Sequence, residues 1–236
     1  MVPQHDPDGG GHVRHRVVLG ATCYADAEGG LTVAIELARH AGAELHGLLV
    51  QDEASLSAVR VMRARVLSFS GEPAAEVSEQ ALLSAYRADA RRFAERLRGA
   101  ARMARLRAEF RAVEGRLWDV VQQAAGPGGV VVFGYRRAVG DSGAVVLVLG
   151  RGRTVPGFAS ALAADLGKHL VVLAEGAPPA AMAGDVYAGP DQLVRRLSAL
   201  SPAAVIVAAD PAGLPPPARL VEAARCPVVL VTADAG

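Results

Sequence analysis

Arg16-Val-Val-Leu-Gly20, then Leu31 to His40, then Ala43-Glu-Leu-His-Gly-Leu-Leu-Val50, reads as strand, helix, strand. A shortened copy follows: Ala144-Val-Val-Leu-Val-Leu149, then Phe158 to Leu166, then His169-Leu-Val-Val-Leu-Ala174. Apolar runs of five or six residues alternating with helical periods predict parallel strands buried between two layers of helices. Recurrence after about half the chain predicts duplication of one α/β unit. The expected fold class is therefore α/β: tandem Rossmann-like units with parallel sheets flanked by helices. Such sheets place ligands beyond the carboxyl ends of their strands, which locates the residues to inspect.

Working outward, residues 1–13 read as a disordered leader, 14–137 as the first unit and 138–236 as a second, shortened unit. Ala21 to Gly30 reads as a loop into helix one, which Gly42 is placed to end. The stretch 51–75 reads as a loop with a helical turn or two. A long helix follows from about Ala75 to Arg105, with a basic edge of Arg87, Arg91, Arg98, Arg102 and Arg105. Leu106 to Val113 alternates and predicts a half-exposed strand; Gly129 to Phe133 predicts a strand buried on both faces. Too few residues then remain before Ala144 for another helix and strand. The first unit has either lost its last pair or borrows a strand from the second. In the second unit the expected elements are a weak strand Asp185–Tyr187, a helix Asp191–Leu200, a strand Ala203–Ala208, a helix Ala218–Arg225 and a closing strand from Cys226.

Hydrophobic residues make up 51% of the 236 but aromatics only 4%, so the core must be built from Ala, Val and Leu. A net charge of +1 gives no general attraction to nucleic acid or to a membrane surface. No run reaches the roughly 18 apolar residues of a membrane span. The first 15 residues lack the apolar segment of a signal peptide. With only Cys23 and Cys226, a disulfide framework is not expected, and the cytoplasm is the expected location.

Three strand-end loops carry the glycines that a phosphate cradle needs: Gly20-Ala-Thr-Cys23, Gly134 to Gly143, and Gly150-Arg-Gly-Arg-Thr154. Catalytic patterns are scarce. There is no Walker sequence, no nucleophile elbow and no histidine pair at metal-ligand spacing. His40 and His46 flank strand two and read as surface residues. Cys23 lies on a strand-end loop and Cys226 precedes a proline, which reads as structural.

The order of elements, with the residues Val17-Val-Leu-Gly-Ala21, Ala34-Ile-Glu-Leu-Ala38, Val113-Glu-Gly-Arg-Leu117, Val130-Val-Val-Phe-Gly134 and Ala223-Ala-Arg-Cys-Pro-Val-Val-Leu-Val231, resembles the universal stress protein family in a tandem form. In ATP-binding members an Asp ends strand one, and a Gly-x2-Gly-x9-Gly-Ser/Thr loop after strand four holds the nucleotide. Here Ala21 or Thr22 stands at the first position. Gly134 matches the first loop glycine, and Arg137 replaces the second. In the second unit Ala209-Asp-Pro replaces the loop start, and Pro216-Pro217 stand in place of Gly-Ser. Proline rings remove amide donors that phosphates would need.

The resemblance, with these departures, implies a non-enzymatic stress-response or regulatory protein. It would bind an unknown protein partner or small ligand, with no cofactor, no metal and no catalytic residues. The two units would pack as an internal pseudo-dimer, open to homodimerisation. The alternative is an adenine-nucleotide sensor or slow ATPase, holding ATP or another adenine nucleotide on the first unit. The expected ligand crevice is formed by Gly20, Thr22, Val50, Gly134 and Arg136, with Thr22 giving a hydroxyl and Arg136 a charge.

Overall fold

The computed structural model describes residues 16–51, 65–67, 73–76, 79–136, 143–179, 182 and 184–231. The leader, most of 51–75, positions 137–142 and Thr232 lie outside these. The first half supplies β1 (Arg16–Ala21), α1 (Tyr24–Ala41), β2 (Glu44–Gln51), a pair β3 (Arg65–Leu67) and β4 (Pro73–Glu76), α2 (Glu79–Ala104), β5 (Ala108–Glu114), α3 (Leu117–Ala125) and β6 (Val130–Phe133). The second supplies β7 (Val145–Leu149), α4 (Phe158–Asp165), β8 (Leu170–Ala174), β9 (Gly184–Val186), α5 (Pro190–Leu200), β10 (Ala204–Ala208), α6 (Pro217–Ala224) and β11 (Val228–Val231).

Nine strands form one sheet in the order β5-β2-β1-β6-β11-β10-β7-β8-β9. Every neighbouring pair is parallel except β6 and β11, which run antiparallel with Val228 opposite Phe133 and Val231 opposite Val130. The fold is α/β and Rossmann-like. Read outward from β11, both halves give their strands in the same succession: fourth, first, second, third. The first half thus ends on a strand from the second, the borrowing that the short stretch before Ala144 allowed. β3 and β4 form a separate antiparallel pair, where a loop with helical turns was expected.

Alternation along each strand sorts the core. Val17, Leu19 and Ala21 of β1, Leu147 of β7 and Ile206 of β10 face one way, packed under α1, α2 and α4. Val18, Val146, Val205 and Val228 face the other, under α3, α5 and α6. A period of two in strands buried on both faces requires apolar residues at every position, which is the run-like pattern of the sequence.

Helix α1 begins at Tyr24, seven residues before Leu31, so the expected loop 21–30 is largely helical. Gly29 and Gly30 are both buried. A Cβ on Gly30 would lie 2.8 Å from Leu19 Cδ1 and 2.9 Å from Gly134 Cα, so glycine here lets the helix lie close on the sheet. Cys23, the residue before the helix, makes no side-chain cap. Instead the Asp89 carboxylate of α2 accepts from the Tyr24 N–H at 2.9 Å, satisfying one of the first-turn donors from a neighbouring helix. At the other end Gly42 adopts φ +57° and its N–H returns to the carbonyls of α1, the left-handed stop that glycine favours. His40, in the last turn of α1, meets Asp165 at the end of α4 at 2.7 Å, a contact between the two halves.

Candidate functional site

Helices α3 and α6 lie on the same face of the sheet, over the antiparallel β6–β11 pair. Because those strands run in opposite directions, the carboxyl end of one half's central strands lies beside the amino end of the other's. Two cavities open between the helices, one towards each end. Trp118 and Pro217 line both and form the partition.

The first cavity, of about 280 Å³, lies at the carboxyl ends of β1 and β6. Ala21, Thr22 and Asp26 border it from β1 and α1, Gly134, Tyr135 and Arg136 from β6, and Val221 and Glu222 from α6. Leu117, Trp118 and Phe133 form the apolar wall, with Trp118 stacked on Phe133 at 5.4 Å between ring centroids and 17° between planes. Of the five residues expected at the crevice, the structure brings Thr22, Gly134 and Arg136 together. Val50 does not join them: it is fully buried beneath the α3 layer, paired in register with Val113. Gly20 lies below the cavity rather than on its wall. A Cβ there would fall 2.4 Å from Val121 Cγ2, so this glycine admits α3. Both misplacements have one cause: a strand end is named by sequence position, but the alternate residue points under a helix. Trp118 and the α6 residues, absent from the expected set, were not findable from strand ends, because they come from helices whose crossing the sequence does not specify.

Gly134 N–H donates to the Gly20 carbonyl at 3.0 Å. Asp26 and Glu222 line the same cavity as Arg136.

No protein-family model matches the chain, and no curated protein does. Among solved structures it is similar to a universal stress protein from Archaeoglobus fulgidus DSM 4304, with 11% identity and a TM-score of 0.41 over 93% of this chain and 97% of that one. It is also similar to universal stress protein UspA from Lactobacillus plantarum, with 14% identity and a TM-score of 0.31 over 67% of this chain and 97% of that one. Both bear the family name that the sequence resembles.

The second cavity, of about 420 Å³, lies at the carboxyl ends of β10 and β11. Its floor is Val207, Ala209, Leu230 and Val231, and its rim runs through Pro211 and Leu214 to Pro217. Asp210 caps the short 3-10 turn Pro211–Gly213 by accepting from the Ala212 N–H at 2.9 Å.

Outside the cavities, the reactive-looking groups have structural surroundings. Burial, joined by the Asp26 carboxylate and opposed by the Asp26 backbone N–H, pushes the Cys23 thiol up from its ordinary pKa, away from thiolate character. Cys226 is buried and its sulfur lies 3.6 Å from the Pro227 carbonyl. His46 is no surface residue; its side chain is only 14% exposed, set between Glu44 and Glu109. Desolvation lowers its pKa, against the pull of Glu109. Among the described residues there is no cluster of three or more His, Cys, Asp or Glu placed to hold a metal ion, and no helix long and apolar enough to cross a membrane.

Proposed function

We propose that this is a non-enzymatic stress-response or regulatory protein of the universal stress protein type, acting by binding a partner or small ligand in the first cavity. The observation that carries this reading is the convergence of Thr22, Gly134 and Arg136 on an aromatic wall at the carboxyl ends of β1 and β6, where ligands sit in sheets of this kind. The hydroxyl and guanidinium supply orientation, and Trp118 and Phe133 supply apolar area.

The nucleotide reading is the weaker one. A triphosphate needs several unengaged amides, whereas the Gly134 N–H is committed to Gly20 and the lining includes the acidic residues Asp26 and Glu222. An ATP affinity no tighter than roughly 100 µM, about −5.5 kcal/mol, is therefore expected. A thermal-shift screen with ATP, ADP, AMP and cyclic dinucleotides, followed by calorimetry, tests it, because a ligand bound only by the folded state raises its melting temperature. Micromolar ATP binding that Arg136→Ala weakens would replace this proposal with the nucleotide sensor.

A further inference from the structure

The second cavity departs from the first in its backbone chemistry. From Pro211 to Pro217 no residue offers an uncommitted N–H. Pro211, Pro215, Pro216 and Pro217 have none. The Ala212 N–H donates to the Asp210 carboxylate, Gly213 to the Asp210 carbonyl and Leu214 to the Pro211 carbonyl. Across the mouth, the Gly150 N–H is taken by Ala208 and the Arg153 N–H by Gly150. A site at strand ends and a helix start would ordinarily present amides to an anion of several charges. This one presents proline rings, Leu214, Leu220 and Trp118 instead.

Two side chains supply polarity to that lining: Gln122 on α3 and Arg153 on the β7–α4 loop. The Arg153 guanidinium is exposed and has no carboxylate partner among the described residues. One unpaired cation at the edge of a walled apolar space suits a monoanion with an apolar body: the guanidinium fork takes the two oxygens of a carboxylate and the rings and leucines take the rest. The volume lies in the range of small-molecule pockets.

We propose that the cavity between α3 and α6 at the ends of β10 and β11 is a second, separate binding site, for a small aromatic or branched-chain carboxylic acid. The acid's carboxylate is paired by Arg153 and its body lies against Trp118 and the proline rim. The site is independent of the ligand class held in the first cavity.

Trp118 is the only tryptophan in the chain, so its emission reports occupancy without a label. The full-length protein is titrated with 4-phenylbutyrate and, in parallel, with uncharged 4-phenylbutanamide, with calorimetry as the second readout. The expected result is a saturable change with the acid, and binding weaker by about tenfold or more for the amide and for Arg153→Gln, as expected for loss of a charged hydrogen-bonded pair. Arg153→Lys, which keeps the charge and loses the fork, should bind more weakly than wild type and more tightly than Arg153→Gln. Because Trp118 borders both cavities, Arg136→Ala separates them: weakening there rather than in Arg153→Gln would place the probe in the first cavity and overturn the proposal. Equal affinity for acid and amide, or no saturable change, would overturn it as well.

Discussion

Gly134 shows how one missing methyl group can fix a crevice. Its notional Cβ would lie 2.2 Å from the Asp26 carbonyl oxygen and 2.7 Å from the carbonyl carbon, both backbone, so no rotamer change relieves the overlap. Gly134→Ala should therefore cost about 2 kcal/mol or more, in the overpacking range. Gly157→Ala is the control: a Cβ there meets nothing within 4 Å and its φ is −57°, so stability should hold or rise slightly. Equal denaturation midpoints for the two variants would refute the tight approach of α1 to β6. The other residue-scale expectation concerns His46. Desolvation lowers its folded-state pKa below 6.5, so the unfolded chain takes the proton first as the pH falls. Its contribution is unaffected above about pH 6.5, and stability erodes below that until the folded-state pKa is passed. Wild type should thus lose more stability than His46→Gln between neutral pH and pH 5. Parallel denaturation curves at each pH check it, and an unchanged difference would show that His46 titrates alike in both states.

At the scale of elements, strand β11 has the most to hold. Val229 is fully buried between Val132 of β6 and Ile206 of β10, with neighbours on both edges. A carboxylate there would lose its water with no partner prepared, so Val229→Asp should cost about 4 kcal/mol or more. A soluble variant with an unchanged melting temperature would refute the placement. The elements that were legible in the sequence are those whose burial forces a pattern. Val145–Leu149 and Ala204–Ala208 are apolar throughout because both faces are covered. The end of α1 at Gly42 matched its expected position. The start of α1 did not, because Gly29-Gly30 is a local breaker signal and a long-range packing requirement alike, and sequence reports only the first. The crevice was half legible for a similar reason. Strand ends named Thr22, Gly134 and Arg136, but Trp118 and Val221 arrive by the crossing of two helices over an antiparallel junction that no local pattern encodes.

For the whole molecule, the two halves share one sheet through a single strand. Without β11, residues 16–136 would present β6 as an unpaired apolar edge whose Val131, Val132 and Phe133 are all buried in the intact chain. Long apolar edges of that sort pair with other chains. A fragment of residues 16–136 should elute as aggregate or as soluble oligomers on size exclusion. A monodisperse monomer with a cooperative melt would show that the first half closes by itself.

The central position of β11 also imposes an order in time. Roughly a hundred residues separate the end of β6 from the start of β11. At about 5–20 residues per second, a ribosome takes on the order of 5–20 s to cover that distance. The first half can dock α1, α2 and α3 on its strands during this interval, but its innermost edge waits for the last strand to emerge. The nascent chain is then open to capture by a chaperone or by the same edge of a neighbouring nascent chain. Slow codons between Phe133 and Val228 would lengthen that exposure, whereas slow codons before β1 would leave it unchanged.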